Sequence, residues 1–408
     1  MVQLSIETLS HVIQDSISTL KGCFCQPDAT LKLNGRTFKI IKLLGEGGFS
    51  YVYLAEDLSS RRLFALKKIR CTLGSDSVKE ALKEVEAYRR FRHANIIRCL
   101  DSCVIQDKDG DGKIVYLFLP YYSRGNLQDL VTTHSDNSTT IPERDILGYF
   151  IGTLKAVRAM HRYTPNKKPT TNHTTETTSD SSSYPPSGSP KNLGNVVSSP
   201  SIVISPSTSS SPIHDDEDDD EEEQMGKTEE EQQEAPLMGN LSSHANVVEP
   251  WAHRDLKPAN VMISDEGQPI LMDFGSAVKA RVEIPNRSVA LQQQDLAAEH
   301  SSMPYRAPEL FDVKTGEPLT EAVDIWSLGC VLYCLAYGHS PFETNDTIEQ
   351  GGSMALAVMN GSWKFPSKDQ TGYSDGLKTL IKEMLVLDPK LRPTVDQVLK
   401  KSQSLLQD

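Results

Sequence analysis

Apolar and polar positions alternate in short runs along the first third of the chain: Phe38–Leu44, Tyr51–Ala55, Phe64–Ile69, Ile97–Val104 and Val115–Leu119. Such runs predict strands, because successive side chains of a strand point to opposite faces. One stretch among them, Ser77–Phe91, follows helical spacing instead. From Pro142 onward the helical period dominates, and Asp145–His161, Ala322–Tyr337, Met354–Met359 and Leu377–Leu387 predict helices. A mainly antiparallel sheet with one helix, followed by a helical region, predicts an α+β fold. Ahead of the strands, Leu9, Val12, Ile13, Ile17 and Leu20 recur at roughly helical spacing, with almost no basic residues between them. That is a short amphipathic helix and a poor membrane binder on its own.

Between Tyr163 and Pro250 both periods vanish. The stretch is rich in Ser, Thr, Pro and Asn and holds an unbroken acidic run, Asp215–Glu223. It cannot bury enough apolar surface to offset its ordering entropy, so residues 163–250 predict a disordered acidic insertion. Composition supports this division. The formal charge is −13, but 163–250 alone holds 4 Lys/Arg against 16 Asp/Glu, which leaves a nearly neutral remainder. This balance argues against a general nucleic-acid binder. The chain has 408 residues, 38% of them hydrophobic, enough for a large core. Its seven cysteines fit no zinc spacing. No apolar run is long enough to span a bilayer, and no signal peptide is visible, so the sequence reads as intracellular and reduced.

Four segments carry candidate chemistry. Leu44-Gly45-Glu46-Gly47-Gly48-Phe49-Ser50-Tyr51-Val52 lies between two strand-like runs, and its glycines let backbone N–H groups approach phosphates. In Phe64-Ala65-Leu66-Lys67 a lysine sits on an apolar strand. A buried ammonium needs a partner, and Glu84 on the following helix is well placed, with Glu80 as a competitor. His253-Arg254-Asp255-Leu256-Lys257-Pro258-Ala259-Asn260 and Met272-Asp273-Phe274-Gly275 concentrate acids, a base and an amide on two adjoining loops. Asn260 and Asp273 offer the oxygen ligands that a hard cation prefers. Further on stand Asp324-Ile325-Trp326, Ala307-Pro308-Glu309 and Leu391-Arg392-Pro393.

In this order the motifs resemble the protein kinase superfamily over residues 37–405, outside the insertion. The resemblance implies a bilobal fold, a β-rich N-lobe with one helix and a larger helical C-lobe, with ATP and Mg2+ in the cleft. It implies that Asp255 meets the substrate hydroxyl, that Lys257 neutralises the transferring phosphoryl group, and that Asn260 and Asp273 hold the metal. Lys67, paired with Glu84, would meet the phosphates. Leu44, Val52 and Ala65 would line the nucleotide site, with Leu119 as gatekeeper and Pro120, Tyr121 and Tyr122 as hinge. Glu309 would pair with Arg392, and Asp324 would anchor the catalytic loop. Arg254 suggests ordering by an activation-segment phosphate, with Ser288, Ser301 and Ser302 as candidates. Lys257 and Ser302 resemble serine/threonine kinases, which act on protein substrates.

A closer likeness lies in Leu44–Val52, Leu119–Leu127, Gly267–Ser276 and Leu291–Glu309. These are similar to the myristoylated and palmitoylated serine/threonine kinases of the Numb-associated kinase group, with their fungal vacuolar-membrane relatives. That likeness accounts for Ser50 in place of a third glycine. It also implies a long activation segment with a helix around Leu291–Ala298, and peripheral attachment to a Golgi or vacuolar membrane. Residues 1–36 would then be an anchoring segment, S-acylated at one or both of Cys23 and Cys25. Val2 departs from the pattern, since N-myristoylation needs glycine there. Asp107–Ile114 resembles the start of a calcium loop but lacks the final glutamate, and reads as a hairpin turn. His161 and His300 read as surface residues. A non-catalytic scaffold and a small-molecule kinase are the rival readings, and the sequence leaves the oligomeric state open.

Overall fold

The computed structural model describes residues 30–47, 50–71, 74–107, 110, 112–165, 247–343, 353–367, 369 and 371–407. Its first part is a six-stranded antiparallel sheet built from β1 (Thr30–Leu33), β2 (Arg36–Glu46), β3 (Ser50–Asp57), β4 (Leu63–Cys71), β5 (Asp101–Gln106) and β6 (Lys113–Pro120), in the order β1-β2-β3-β4-β6-β5. Helix α1 (Gly74–Arg90) is the single helix of this lobe among the described residues. The α+β fold, with a β-rich N-lobe and a helical C-lobe, is the one the sequence predicts. β1 extends the sheet ahead of the first predicted strand, pairing Leu33 with Arg36 across a tight Asn34-Gly35 turn. Both turn residues have positive φ, the conformation that Asn and Gly tolerate best.

Alternation divides the sheet into two faces. Phe38, Ile40, Phe64, Leu66, Tyr116 and Phe118 form a small apolar cluster on one of them. The other face packs on α1 and continues into the main core. The predicted strand Ile97–Val104 starts late, at Asp101, because Ile96 and Ile97 are taken by Leu271 of the C-lobe: Ile96 bridges to it, and Ile97 N–H donates to its carbonyl at 2.9 Å.

The C-lobe comprises α2 (Leu127–Asp136), α3 (Glu143–His161), α4 (Arg287–His300), α5 (Ala322–Tyr337), α6 (Met354–Met359), α7 (Asp375–Met384) and α8 (Val395–Gln407). Two short ribbons accompany them, β7 (Trp251–Ala252) with β10 (Val278–Lys279), and β8 (Val261–Ile263) with β9 (Pro269–Leu271). α5 is apolar on nearly every side and buried along its length, as expected of a central helix. It stops at Gly338, whose φ of 87° turns the chain out of the helix while its N–H donates to Cys334 O. α3 runs close to β9 at Gly152, where an added Cβ would stand 2.2 Å from Pro269 Cγ. α7 ends three residues short of its predicted limit. The Val386 and Leu387 carbonyls turn instead to Arg392, accepting from Nε at 2.8 Å and from Nη2 at 3.0 Å.

Tyr163 and Glu249 lie just inside the two ends of the predicted insertion and meet directly: Glu249 N–H donates to Tyr163 O at 2.8 Å. Phe91, at the end of α1, packs edge-on against both Tyr163 and Trp251. The chain thus returns to the point it left. Residues 166–246, with the acidic run, lie outside the described residues, as do Cys23, Cys25 and the amphipathic N-terminal segment.

Candidate active site

Three supports converge on Lys67. On β4 it stands opposite Val52 of β3 and Leu117 of β6, while Ala65 stands opposite Leu54 and Leu119. Residues two apart share a strand face, so Ala65 and Lys67 look the same way, with Leu119 and Val52 beside them. Lys67 Nζ lies 2.7 Å from Glu84 Oε1 on α1 and 2.9 Å from Asp273 Oδ1. Burial favours the neutral amine, but Asp273 and Glu84 outweigh it and push the Lys67 pKa up. In return the Lys67 ammonium holds the Asp273 carboxyl down to about 2, against the effect of burial. Glu80, the rival partner, faces outward and pairs with Lys83 at 2.6 Å.

The described ends of the glycine-rich segment lie close together. Glu46 ends β2, Ser50 opens β3, and Gly47 N–H donates to Ser50 O at 2.8 Å. Gly45 and Glu46 pair with Val52 and Tyr51, and Leu44 is exposed just before them. Gly48 and Phe49 lie outside the described residues. At the other end of the sheet Leu119 is buried at the close of β6, and Tyr121 and Tyr122 follow it half-buried.

Below Lys67, the loop from His253 to Asn260 is held by one acid. Asp324 is wholly buried on α5 and accepts from His253 N–H at 2.8 Å and Arg254 N–H at 2.9 Å. His161 Nε2 stands 3.0 Å from the same carboxylate. Burial works against the Asp324 charge, yet His161 and the loop donors keep its pKa below the ordinary value. This anchorage supports backbone strain, since Arg254 and Asp273 both take φ of 64°. Non-glycine residues hold that conformation only where their surroundings over-determine it.

The Asp255 carboxylate is bound on both oxygens. Oδ1 accepts from Ser302 N–H at 2.8 Å. Oδ2 accepts from Asn260 Nδ2 at 3.0 Å and lies 2.8 Å from Lys257 Nζ. Lys257 also donates to Ser302 Oγ at 2.7 Å, joining the loop to the segment ahead of Tyr305. Asn260 Nδ2 further donates to Asp255 O, and Asn260 O accepts from Met272 N–H at 2.9 Å. Asn260 and Asp273 are thus carried on two strapped loops. Phe274, beside Asp273, is buried against Tyr88 of α1, against Phe91 just after it and against His253. Its ring packs α1, and with it Glu84, against the loop.

A comparison with known families matches the protein kinase domain to residues 38–164 and 244–403. The chain belongs to the protein kinase family. It is 32% identical to the serine/threonine-protein kinase ENV7 of Saccharomyces cerevisiae, over 95% of this chain and 96% of that one. It is 36% identical to a probable serine/threonine-protein kinase of Dictyostelium discoideum, over 96% and 99%. Serine/threonine-protein kinase 16 of Homo sapiens matches at 28% identity, over 94% of each chain. The kinase is therefore a serine/threonine kinase, in agreement with the resemblance seen in its motifs, and the family's chemistry uses ATP and a divalent metal.

One reading of the kinase sequence changes. His161 is not a surface residue: it is 4% exposed and hydrogen-bonded to Asp324. The signal was available, since His161 lies four positions after Val157 and seven after Leu154 on the buried stripe of α3. His300 is half-exposed, and its carbonyl accepts from Ser276 Oγ. Arg254 meets a side chain of the activation segment. Its Nη1 donates to Gln293 Oε1 on α4 at 2.9 Å.

Proposed function

We propose that the kinase moves the γ-phosphate of ATP to serine and threonine hydroxyls of other proteins, and of itself, with Asp255, Lys257, Asn260, Asp273 and Lys67 as the working groups. The observation that carries this is the Lys67 ammonium between Glu84 and Asp273, beside an Asp255 whose carboxylate is fixed from both sides. Asp255 receives or orients the proton of the incoming hydroxyl. Lys257 stands against the Asp255 carboxylate, where negative charge from the phosphoryl group develops. Lys67 meets the α- and β-phosphates, and backbone N–H groups of the Gly45–Ser50 turn cover them. Leu44, Val52, Ala65 and Leu119 line the nucleotide base, and the Pro120–Tyr122 backbone hydrogen-bonds it.

The donors suit Mg2+. Asn260 commits its amide nitrogen to Asp255, which leaves the amide oxygen for a cation, and Asp273 keeps one carboxylate oxygen away from Lys67. Among the described residues no group of three or more His, Cys, Asp or Glu could hold a metal, so the remaining ligands would be phosphate oxygens and water, the usual arrangement for Mg2+. When bound, the ion would offset charge on the phosphate oxygens.

The test is incubation with Mg-ATP labelled at the γ-phosphate, beside Asp255→Asn, followed by phosphoamino-acid analysis. Label on serine and threonine with the wild type, reduced about 10³-fold in the variant, is the expected result. Equal labelling by the two proteins would remove Asp255 from its role.

The finer reading is that the kinase works at a Golgi or vacuolar membrane, attached through acyl chains on Cys23 and Cys25. Its support is the placement of the two thiols just ahead of β1, together with the likeness of the motifs to acylated kinases. Among the described residues no helix is long and apolar enough to cross a membrane. One acyl chain binds only marginally, so both thiols are assigned. Hydroxylamine, which cleaves thioesters, should release the protein from cell membranes, and Cys23→Ser with Cys25→Ser should do the same. A protein that fractionates identically before and after either treatment would refute the assignment.

A further inference from the structure

Lys67 gathers two acids. One carboxylate elsewhere in the kinase gathers two cations from the same two stretches of chain. Glu249 stands just ahead of β7. Its Oε2 accepts from Lys279 Nζ on β10 at 2.9 Å, and its Oε1 accepts from Trp251 Nε1 at 2.9 Å. Arg90 Nη1, at the last position of α1, lies 3.9 Å from the same Oε1. Arg90 follows Glu84 by six positions on α1, and Lys279 follows Asp273 by six. The helix and the segment that meet at Lys67 therefore meet a second time, with the charges exchanged.

Three further contacts give this second meeting a fixed geometry. The Glu249 N–H donates to Tyr163 O at 2.8 Å, which fixes the backbone of the acid. The Trp251 bond sets the indole, and the Arg90 guanidinium lies over its face, 4.1 Å from the centroid. A guanidinium in that position is attracted by the negative face of the ring. β10 is held alongside β7, with Lys279 opposite Trp251, and Ala280 N–H donates to Pro250 O at 2.8 Å. Lys279 also keeps the Glu249 pKa below its ordinary value, so the carboxylate is charged at neutral pH. The Lys279 pair is exposed and weak by itself. Its effect comes from sharing the acid with Arg90, whose side chain is only 26% exposed. Packing of Phe274 on Tyr88 and Phe91 presses α1 toward the loop, but apolar contact has no preferred direction. The shared carboxylate supplies the direction.

We infer that Glu249 is a positioning residue for phosphoryl transfer: by drawing Arg90 of α1 and Lys279 of β10 to one carboxylate, it keeps Glu84 and Asp273 converged on Lys67. The inference rests on the proposed site, in which Lys67 meets the phosphates and Asp273 the metal. Glu249 touches neither substrate nor reacting atoms and acts only through the two cations.

The test is steady-state transfer from Mg-ATP to dephosphorylated casein by the full chain. Glu249→Gln keeps an oxygen for Trp251 and the bond to Tyr163, and removes the charge. It should raise KM for ATP and lower kcat/KM about fivefold, the loss of one partly exposed charge contact, while melting within about 4 °C of the wild type. Arg90→Met should show the same loss. Arg90→Lys should recover most of it, because an ammonium also pairs with the carboxylate and the ring. Combining Glu249→Gln with Arg90→Met should lower kcat/KM little further than either change alone, since both break one arrangement. A role in folding alone would lower the melting temperature and leave KM for ATP in place. Unchanged KM for ATP in Glu249→Gln, no recovery in Arg90→Lys, or fully additive losses would each overturn the inference. Should Arg90→Met fail to fold, Glu249→Gln still decides. Normal transfer by Asp255→Asn in the same assay would instead overturn the site assignment, an outcome that no substitution at Glu249 can produce.

Discussion

Asp273→Asn should abolish measurable transfer, lowering kcat by about 10³-fold or more, while the protein stays folded. Asparagine keeps the shape of the side chain and removes its charge. The carboxylate stands 2.9 Å from Lys67, whose ammonium holds its pKa near 2, so it is ionised at every pH at which the enzyme would be assayed. The variant loses the anion proposed to hold the metal and leaves Lys67 to Glu84 alone. The sign of the pH dependence follows from the depressed pKa. The contribution of Asp273 to stability is complete above the ordinary carboxyl range, and it is lost as pH falls toward 2. At neutral pH the variant should therefore unfold at a somewhat lower temperature and still in a cooperative transition. Steady-state transfer with Mg-ATP and a thermal melt check the two halves separately. Near-normal turnover would mean that Asp273 does not hold the metal.

Glu309→Ala should produce the largest loss of stability, about 3–5 kcal/mol, because it strands a buried guanidinium. Arg392 has no exposed side-chain surface. Its Nη1 and Nη2 meet the two Glu309 oxygens at 2.7 and 2.8 Å, and its remaining bonds go to the carbonyls of Val386, Leu387 and Ala322. The guanidinium also lies over the Trp326 ring. Removing the carboxylate leaves the charge in place with carbonyl acceptors alone. For a domain of this size that corresponds to a fall in Tm of roughly 6–15 °C. Replacing both partners with apolar residues, Glu309→Leu with Arg392→Met, should recover part of the loss, since no charge is then left buried. Calorimetry on the two variants tests this. A double variant less stable than Glu309→Ala would show that the carbonyl contacts of Arg392 matter more than the ion pair.

The residues that gather at the site were legible because each lies in a short segment whose chemistry is local. Gly45–Ser50 reads as a turn between strands, Lys67 as a cation on an apolar strand, and Asp255, Asn260 and Asp273 as oxygen donors on adjoining loops. The pairing of Lys67 with Glu84 was also within reach, because a buried ammonium demands an acid and the next helix offered two. The choice between Glu80 and Glu84 follows from the face that α1 turns to the sheet. α7 was read too long because its period continues to Leu387, and nothing local shows that Arg392 draws the last carbonyls out of the helix.

The sequence by itself determined the succession of strands and helices, the identity of the chemical groups, and the break between Tyr163 and Pro250, since each depends on neighbours a few positions apart. Tertiary structure alone decided that His161 sits under Asp324, that Tyr163 and Glu249 join, and that Arg254 meets Gln293. Each of these partners is 39 or more positions away in the chain. Periodicity tells which face of a helix is apolar, but not which buried polar group that face will meet. That meeting is settled only when helices and loops pack, because a buried polar group takes whatever partner the packing brings within about 3 Å.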